Sequence, residues 1–383
     1  MVSGLQLRLY IGAIAASAVP RELIDALVSV QVNEGAGAQA GFQLAFTAAN
    51  QGLIQRELLP GGFFDAPRRV IVAVVVDGRE EVLIDGVITR QELTVSSEPG
   101  KTQLTITGLD LSQMMDLIDF SGFPYPALTV EGRVAIMLAK YAMYGVVPMI
   151  VPSILVAVPN PLQRINSQRG TDLSYIKRLA SEVGYTFYVQ PGPAVGMSLA
   201  YWGPEIKVGE VQPALTCNMG PHDNVDALTL GLDGIQKTLF IFFVQQPDTR
   251  VPIPVPVPDI GPLNPPLGPR PLVPLSYTKL DLVSPEGEDD STAKHELMTA
   301  VMRGLARASQ RADVISGSGT LRVSRYGQLL RPRKLVGVRG AGISYDGLYY
   351  VKSVTHSIKP GEYTQNFRLT RNALMSYTQE VPV

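Results

Sequence analysis

The strongest constraint on this chain is where its side chains alternate. In residues 5–11, 27–32, 42–46 and 104–108, apolar and polar residues switch with a period of two. That period puts successive side chains on opposite faces of a strand, one toward a core and one toward water. Residues 70–76 are instead continuously apolar and β-branched, as suits a strand covered on both faces. Asp77-Gly78 follows, a dipeptide fitted to a two-residue hairpin. Residues 82–84 leave that turn, and Asp85-Gly86 is expected to permit a bend or bulge. Short strands with turn signals between them predict a β-barrel or sandwich over residues 1–113.

The period then changes. In residues 114–212, Thr129 is placed to cap a helix with Val134, Met137, Leu138 and Tyr141 on one face, ending at Gly145. Thr171 caps a second helix carrying Leu173, Ile176, Leu179, Ala180 and Val183, closed by Gly184. Residues 185–189 alternate as a strand, and 197–202 are expected to pair with them. This is a small α/β module.

Strand signals return in residues 213–383, at 227–230, 239–244, 320–323, 334–338, 348–357 and 363–369. Two interruptions break them. Residues 247–274 are rich in proline, which fixes φ and removes the amide donor, so extended polyproline II or a loop is expected. It suits a ligand for a partner's aromatic groove, a spacer or an arm lying across a neighbouring subunit, and its apolar residues Ile253, Val255, Val257 and Ile260 weigh against a fully solvated spacer. A helix is predicted at 291–311, with Glu288, Asp289 and Asp290 at its start and Arg303, Arg307 and Arg311 toward its end, both favourable to the helix dipole. The fold class is thus mainly β (α+β): two β-barrel domains (1–113 and 213–383) flanking an α/β domain (114–212).

Composition narrows function. The formal net charge is −1 over 383 residues, so nothing draws the whole chain to nucleic acid. Only 17% of residues are charged, against about 25% in an average soluble protein. That deficit suits a subunit that hides surface in an assembly. No apolar stretch is long enough for a membrane helix, because the best one, 134–158, contains Lys140, Pro148 and Pro152.

Candidate chemistry is sparse. Cys217, His222 and Asp223 lie close, but they read as a buried cysteine at a strand end and a loop histidine rather than as a nucleophile and its base. Glu286, Glu288, Asp289 and Asp290 lack the alternating spacing of a calcium loop. Gly317-Ser318-Gly319 and Gly340-Ala341-Gly342 are read as turns, because neither has the third glycine and helix of a phosphate loop. Arg303, Arg307 and Arg311 form an i, i+4 stripe, and Arg331, Arg333 and Lys334 a second basic group. Either suits a solvated face, a channel lining or DNA phosphates. No catalytic, cofactor or metal residue is assigned.

The C-terminal stretch is the most specific. Residues 347–356 read Gly-x-Tyr-x-Val-x-x-Val-x-His, and residues 363–372 read Tyr-x-x-x-Phe-x-Leu-x-Arg-Asn. These two strands resemble the end of the phage late control protein D family, which includes the hub half of type VI spike proteins and the baseplate hub of T-even phage. The helix–Gly–strand element at 171–188 is similar to one in the same family. The resemblance implies two tube-type barrels per chain and a homotrimer forming a ring of approximate six-fold symmetry. Such a ring joins an inner tube to a spike, among other baseplate components, with cargo or a tape measure in its lumen. It implies a structural protein without cofactors, assembled in the bacterial cytoplasm as part of a tail-like particle. The chain stops just after Arg371-Asn372, so the spike is expected to be a separate polypeptide. A tail-associated hydrolase, or another baseplate or tail-tip protein such as an adhesin, is the competing expectation.

Overall fold

The computed structural model describes residues 6–49, 51–76, 78–98, 101–153, 166–233, 238–245, 252–257, 264–271, 279–282, 308 and 312–377. The predicted 291–311 helix, the acidic group 286–290 and the arginines at 303, 307 and 311 lie outside the described residues.

The first region forms strands β1 (Gln6–Gly12), β2 (Ala16–Ala18), β3 (Leu27–Gly35), β4 (Gly41–Thr47), β5 (Arg69–Val76), β6 (Arg79–Thr94) and β7 (Gln103–Asp110). They pair in the order β3-β4-β7-β6-β5-β1-β2. The alternation is obeyed: Val30 and Val32 of β3 are buried, while Gln31 and Asn33 are exposed. The apolar run of β5 is buried at every position but one. Asp85-Gly86, where a bend or bulge is expected, lies inside β6 between register irregularities at residues 82–84 and 88–90. Gly86 is required instead for close strand approach, since a Cβ there would lie 2.2 Å from the Leu109 carbonyl oxygen.

The middle region packs helices Val130–Ala139 and Asp172–Glu182 beside a small sheet. Each helix starts where a threonine hydroxyl accepts from a backbone amide: Thr129 from Gly132 (3.1 Å) and Thr171 from Ser174 (3.3 Å). The sheet comprises strands Val146–Ile150, Thr186–Pro191 and Ser198–Gly203. Trp202, Met137 and Leu138 are fully buried in this module's own core.

The third region contains strands Val211–Thr216, Val225–Leu232, Ile315–Arg322, Leu335–Arg339, Gly347–Lys359 and Glu362–Arg371. Two expectations are corrected here. Gly317-Ser318-Gly319 is not a turn but the middle of a strand. Its glycines admit large neighbours: a Cβ on Gly319 would lie 2.5 Å from both the Ala227 carbonyl oxygen and the Phe367 ring. The proline-rich segment is not wholly loop. Pro252–Val257 is a strand paired antiparallel with Thr238–Gln245, which also pairs in parallel with Lys279–Leu282. Prolines at 252, 254 and 256 remove every second amide. The pairing donors therefore come from Ile253, Val255 and Val257, and the opposite edge carries none.

The outer regions share one 13-stranded sheet, joined where β3 pairs antiparallel with Gly347–Lys359. A single buried cluster runs through both, from Leu9 and Val72 to Val354 and Phe367. The two β-rich segments are therefore joined in one sheet, through the part of Gly347–Lys359 that lies beyond its pairing with Leu335–Arg339.

The two halves of that sheet nevertheless repeat one order. In the first half it is β1-β5-β6-β7-β4-β3. In the second it is Val211–Thr216, Leu335–Arg339, Gly347–Lys359, Glu362–Arg371, Ile315–Arg322, Val225–Leu232. Numbered along the chain, the six strands of each half take the same places. One difference is that β1 pairs antiparallel with β5, whereas Val211–Thr216 pairs in parallel with Leu335–Arg339.

Candidate functional site

Among the described residues, those singled out from sequence do not converge on chemistry. The Cys217 thiol is half-buried and lies 3.4 Å from the Arg339 carbonyl oxygen, and burial raises its pKa, the opposite of what an activated nucleophile needs. His222 lends its backbone carbonyl to the Thr216 hydroxyl, and the Asp223 carboxylate accepts from the Met219 amide at 2.7 Å. The trio builds a turn. Gly340 and Gly342 are turn residues as expected, with φ of 84° and 95°. Among the described residues, no group of three His, Cys, Asp or Glu side chains is placed to hold a metal. No helix among them is long and apolar enough to cross a membrane.

The basic group at 331–334 is drawn inward. Arg331 bridges the halves, reaching Glu81 at 2.7 Å and Glu34 at 3.7 Å. Arg333 donates to the Gly35 carbonyl at 2.6 Å and stacks on Tyr188 at 3.9 Å, so it ties the second half to β3 and to the middle module. Lys334 stays on the surface, 3.9 Å from Glu210. The motif histidine, His356, sits fully buried at the joint. Its Nδ1 is 2.7 Å from the Tyr363 hydroxyl and its Nε2 is 3.7 Å from Glu34. Burial and the nearby Arg331 push its pKa down to about 3, and burial raises that of Glu34. Sequence reasoning missed this cluster. The only signal was a charged residue, Glu34, at the inward-facing end of an alternating strand.

The motif pair Arg371-Asn372 is also structural. Arg371 has no exposed surface and donates to the carbonyls of Asp346 (3.1 Å) and Leu267 (3.1 Å). The Asn372 side chain accepts from the Leu267 amide (2.8 Å) and donates to the Pro265 carbonyl (3.0 Å). Together they pin one end of the proline-rich segment onto the chain that carries it.

The sheet also carries a polar surface. Following directly opposed residues across the sheet, one row reads Arg322, Thr364, Ser357, Gln31, Gln43, Thr107, Arg90. Every member is polar, and the row crosses both halves and the joint. The next row includes Thr320, Asn366, Thr355 and Asn33, with Thr320 donating to Asn366 at 2.6 Å. Opposed strand residues point to the same side, so the first row is polar across both halves, while the second turns apolar in the first half at Gly41, Leu109 and Val87. Arg90 is itself paired with Glu92 at 3.0 Å.

No family model matches this sequence, and no curated protein matches it. Solved structures do match along nearly its whole length. A tail protein from Neisseria meningitidis MC58 aligns with a TM-score of 0.61 at 13% identity, covering 96% of this chain and 97% of that one. The 43 kDa tail protein of prophage MuSo2 from Shewanella oneidensis aligns at 0.64 and 14%, covering 97% and 100%. The E. coli c3393 protein is described as a type VI secretion component with structural similarity to the T4 tail proteins gp27 and gp5. It aligns at 0.54 and 13%, covering 100% and 78%. At such identities what is shared is the backbone arrangement, and this chain is built on the fold of phage tail proteins and of this type VI secretion component.

Proposed function

We propose that the chain is a structural hub subunit in the baseplate of a contractile tail or injection system. Three copies form a ring that joins the inner tube to a trimeric spike. The observation that carries this reading is the repeated strand order. Each chain supplies two similar sheet units already joined edge to edge, so three chains supply six. A ring of six similar units fits a six-fold tube on one side, while its true three-fold symmetry fits a trimeric spike on the other. Each half is the counterpart of a tube-type barrel that closes only within the ring. The polar rows then face the lumen, where cargo or a tape measure must slide without sticking to apolar patches. Shape and surface do this work, and no reactive group is required. The particle is assembled in the bacterial cytoplasm with the other baseplate components.

Imaging of assembled particles tests the reading. Three copies around the axis between tube and spike are expected. Six copies, or copies at the baseplate periphery, would overturn it.

A further inference from the structure

The internal joint uses one edge from each half and leaves the equivalent pair of edges open. In the joint, Gly347–Lys359 is bulged at Lys352 and leaves its neighbour Leu335–Arg339, whose pairing ends at Leu335 opposite Tyr350. Beyond the bulge, Ser353 to Ile358 pair antiparallel with Gly35 to Val30. The first half repeats this geometry. β6 is bulged at Thr89 just after its pairing with β5 ends at Val87 opposite Arg69. Its continuation pairs only with β7 among the described residues. Residues 90–94 are all exposed, and Val95 just beyond is 73% exposed.

The counterpart of β3 is Val225–Leu232. It pairs only with Ile315–Arg322 among the described residues, and it ends the sheet. The equivalence extends to local irregularities. β3 has a register shift between Leu27 and Ser29, and Val225–Leu232 has one between Val225 and Ala227. A bulge is a specific device and is rarely repeated by accident in matching strands.

We propose that the β6 continuation of one copy pairs antiparallel with the Val225–Leu232 strand of a second copy, repeating the internal joint between subunits. The register follows from the pairing. Ile88, Gly108, Phe42 and Val32 form one row across the first half. Val351, Leu369, Gly317 and Leu230 form the matching row across the second. Within the chain His356 lies opposite Val32. Counted from the bulges, Leu93 is the equivalent of His356, so Leu93 lies opposite the partner's Leu230. Two residues on, Val95 meets the partner's Leu228, and Gln91 meets the partner's Leu232. The contact covers apolar surface that is open in the single chain, with Leu93 at 41% and Leu232 at 42% exposure. It also sets Arg90 against the partner's Asp233, an opposite-charge cross-strand pair. Strand amides left unpaired among the described residues, together with apolar side chains, along two open edges of one sheet invite such pairing. The contact is head to tail, so it closes into a ring only when the rotation per copy allows. The three-copy ring rests on the hub reading above, whereas the register rests on the strand pairing alone.

Cysteine cross-linking in the full chain tests the register. With Cys217→Ala as background, Leu93→Cys and Leu230→Cys are combined and oxidised, both in the concentrated chain and in assembled particles. Directly opposed strand residues meet disulfide geometry, whereas Leu93→Cys with Thr229→Cys points the two thiols to opposite faces. Roughly tenfold more covalent dimer and trimer is expected from the first pair than from the second. Val95→Cys with Leu228→Cys repeats the test should the first pair disturb folding. Particles that image with three copies but cross-link no better at either matched pair than at the control would overturn the joint and leave the hub reading standing. Matched cross-links in chains that never form a ring would support the joint and overturn the hub reading.

Discussion

The two halves of the sheet solve one packing problem with opposite residues. In the first half the large side chain of the shared row is Phe42 on β4, and the glycine is Gly108 on β7. A Cβ on Gly108 would lie 2.3 Å from the Phe42 ring. In the second half the glycine is Gly317, on the strand equivalent to β4, and the large residue is Leu369, on the strand equivalent to β7. Volume is exchanged between neighbouring strands while the backbone order stays fixed, as close packing allows. The halves differ similarly beside the bulges. Arg69 and Asp85 form a buried two-pronged ion pair (2.6 and 2.8 Å) in the first half. The equivalent places in the second half hold Leu335 and Leu348, which pack in a small apolar cluster with Tyr350. A duplicated fold therefore does not require a duplicated sequence, and position-by-position comparison of the halves conceals the repeat.

The ion pair gives the largest effect. Asp85→Ala strands a buried guanidinium and is expected to cost about 3–5 kcal/mol, read as a lower denaturation midpoint. Arg69→Leu with Asp85→Leu makes the first half resemble the second, and it should recover most of that loss. It should not recover the docking of the middle module, because Ser198 donates to Asp85 (3.0 Å) and Arg69 donates to the Gly196 carbonyl (3.0 Å). Faster proteolysis or amide exchange near 192–198 in the double variant, despite restored stability, is the expected outcome. Full restoration of both would show that the pair is interchangeable with leucine.

The joint between the halves gives a pH-dependent effect. Unfolded, His356 takes up a proton below its ordinary value of 6.5, but folded it resists until about 3. The unfolded state therefore binds more protons across that window, and stability falls as pH drops, by up to about 1.4 kcal/mol per pH unit. Glu34 acts in the other direction. Its folded pKa is raised above 4.5, so the folded state takes up that proton first and gains stability on acidification. Glu34→Gln is thus expected to steepen the acid loss, and His356→Leu to flatten it, in denaturant titrations from pH 7 to 4. Parallel pH profiles for wild type and both variants would mean that the cluster does not titrate as its burial requires.

Much of this was legible from residue order, because strands and capped helices are local. The alternation in β3 and β4, the threonine caps and the terminal hairpin all follow from side-chain period and turn chemistry. The glycines at 317 and 319 were not legible as strand residues. A glycine signals freedom at a turn or a need for space, and only the Phe367 ring across the strand distinguishes the two. The shared sheet was hidden for a related reason. The β3 joint pairs residues more than 300 positions apart, and nothing local announces such a partner. Likewise, Arg331 and Arg333 read as a basic surface because their partners, Glu34, Glu81 and the Gly35 carbonyl, belong to the other half.

The smallest stability effect belongs to the polar rows, and it is the most informative about use. Gln43, Thr107 and Arg90 are exposed in the single chain, so substitutions there remove little packing. Gln43→Leu with Thr107→Leu is expected to shift stability within about 0.5 kcal/mol. If this face lines a lumen, particle assembly and copy number should be unchanged while cargo loading or ejection slows, because two adjacent leucines, repeated in every copy, create an apolar ring where contents must slide. If the face instead meets another protein, the same pair should alter particle yield or composition and leave the contents of the remaining particles normal. The comparison between halves sharpens the test. Ser357→Leu with Thr364→Leu places the same change on the second half, at directly opposed positions of the same polar row. In a ring of six similar units, the two double variants should act alike on cargo. A defect confined to one of them would show that the halves present different faces to whatever passes, and that the sheet's repeated order serves closure rather than a uniform channel.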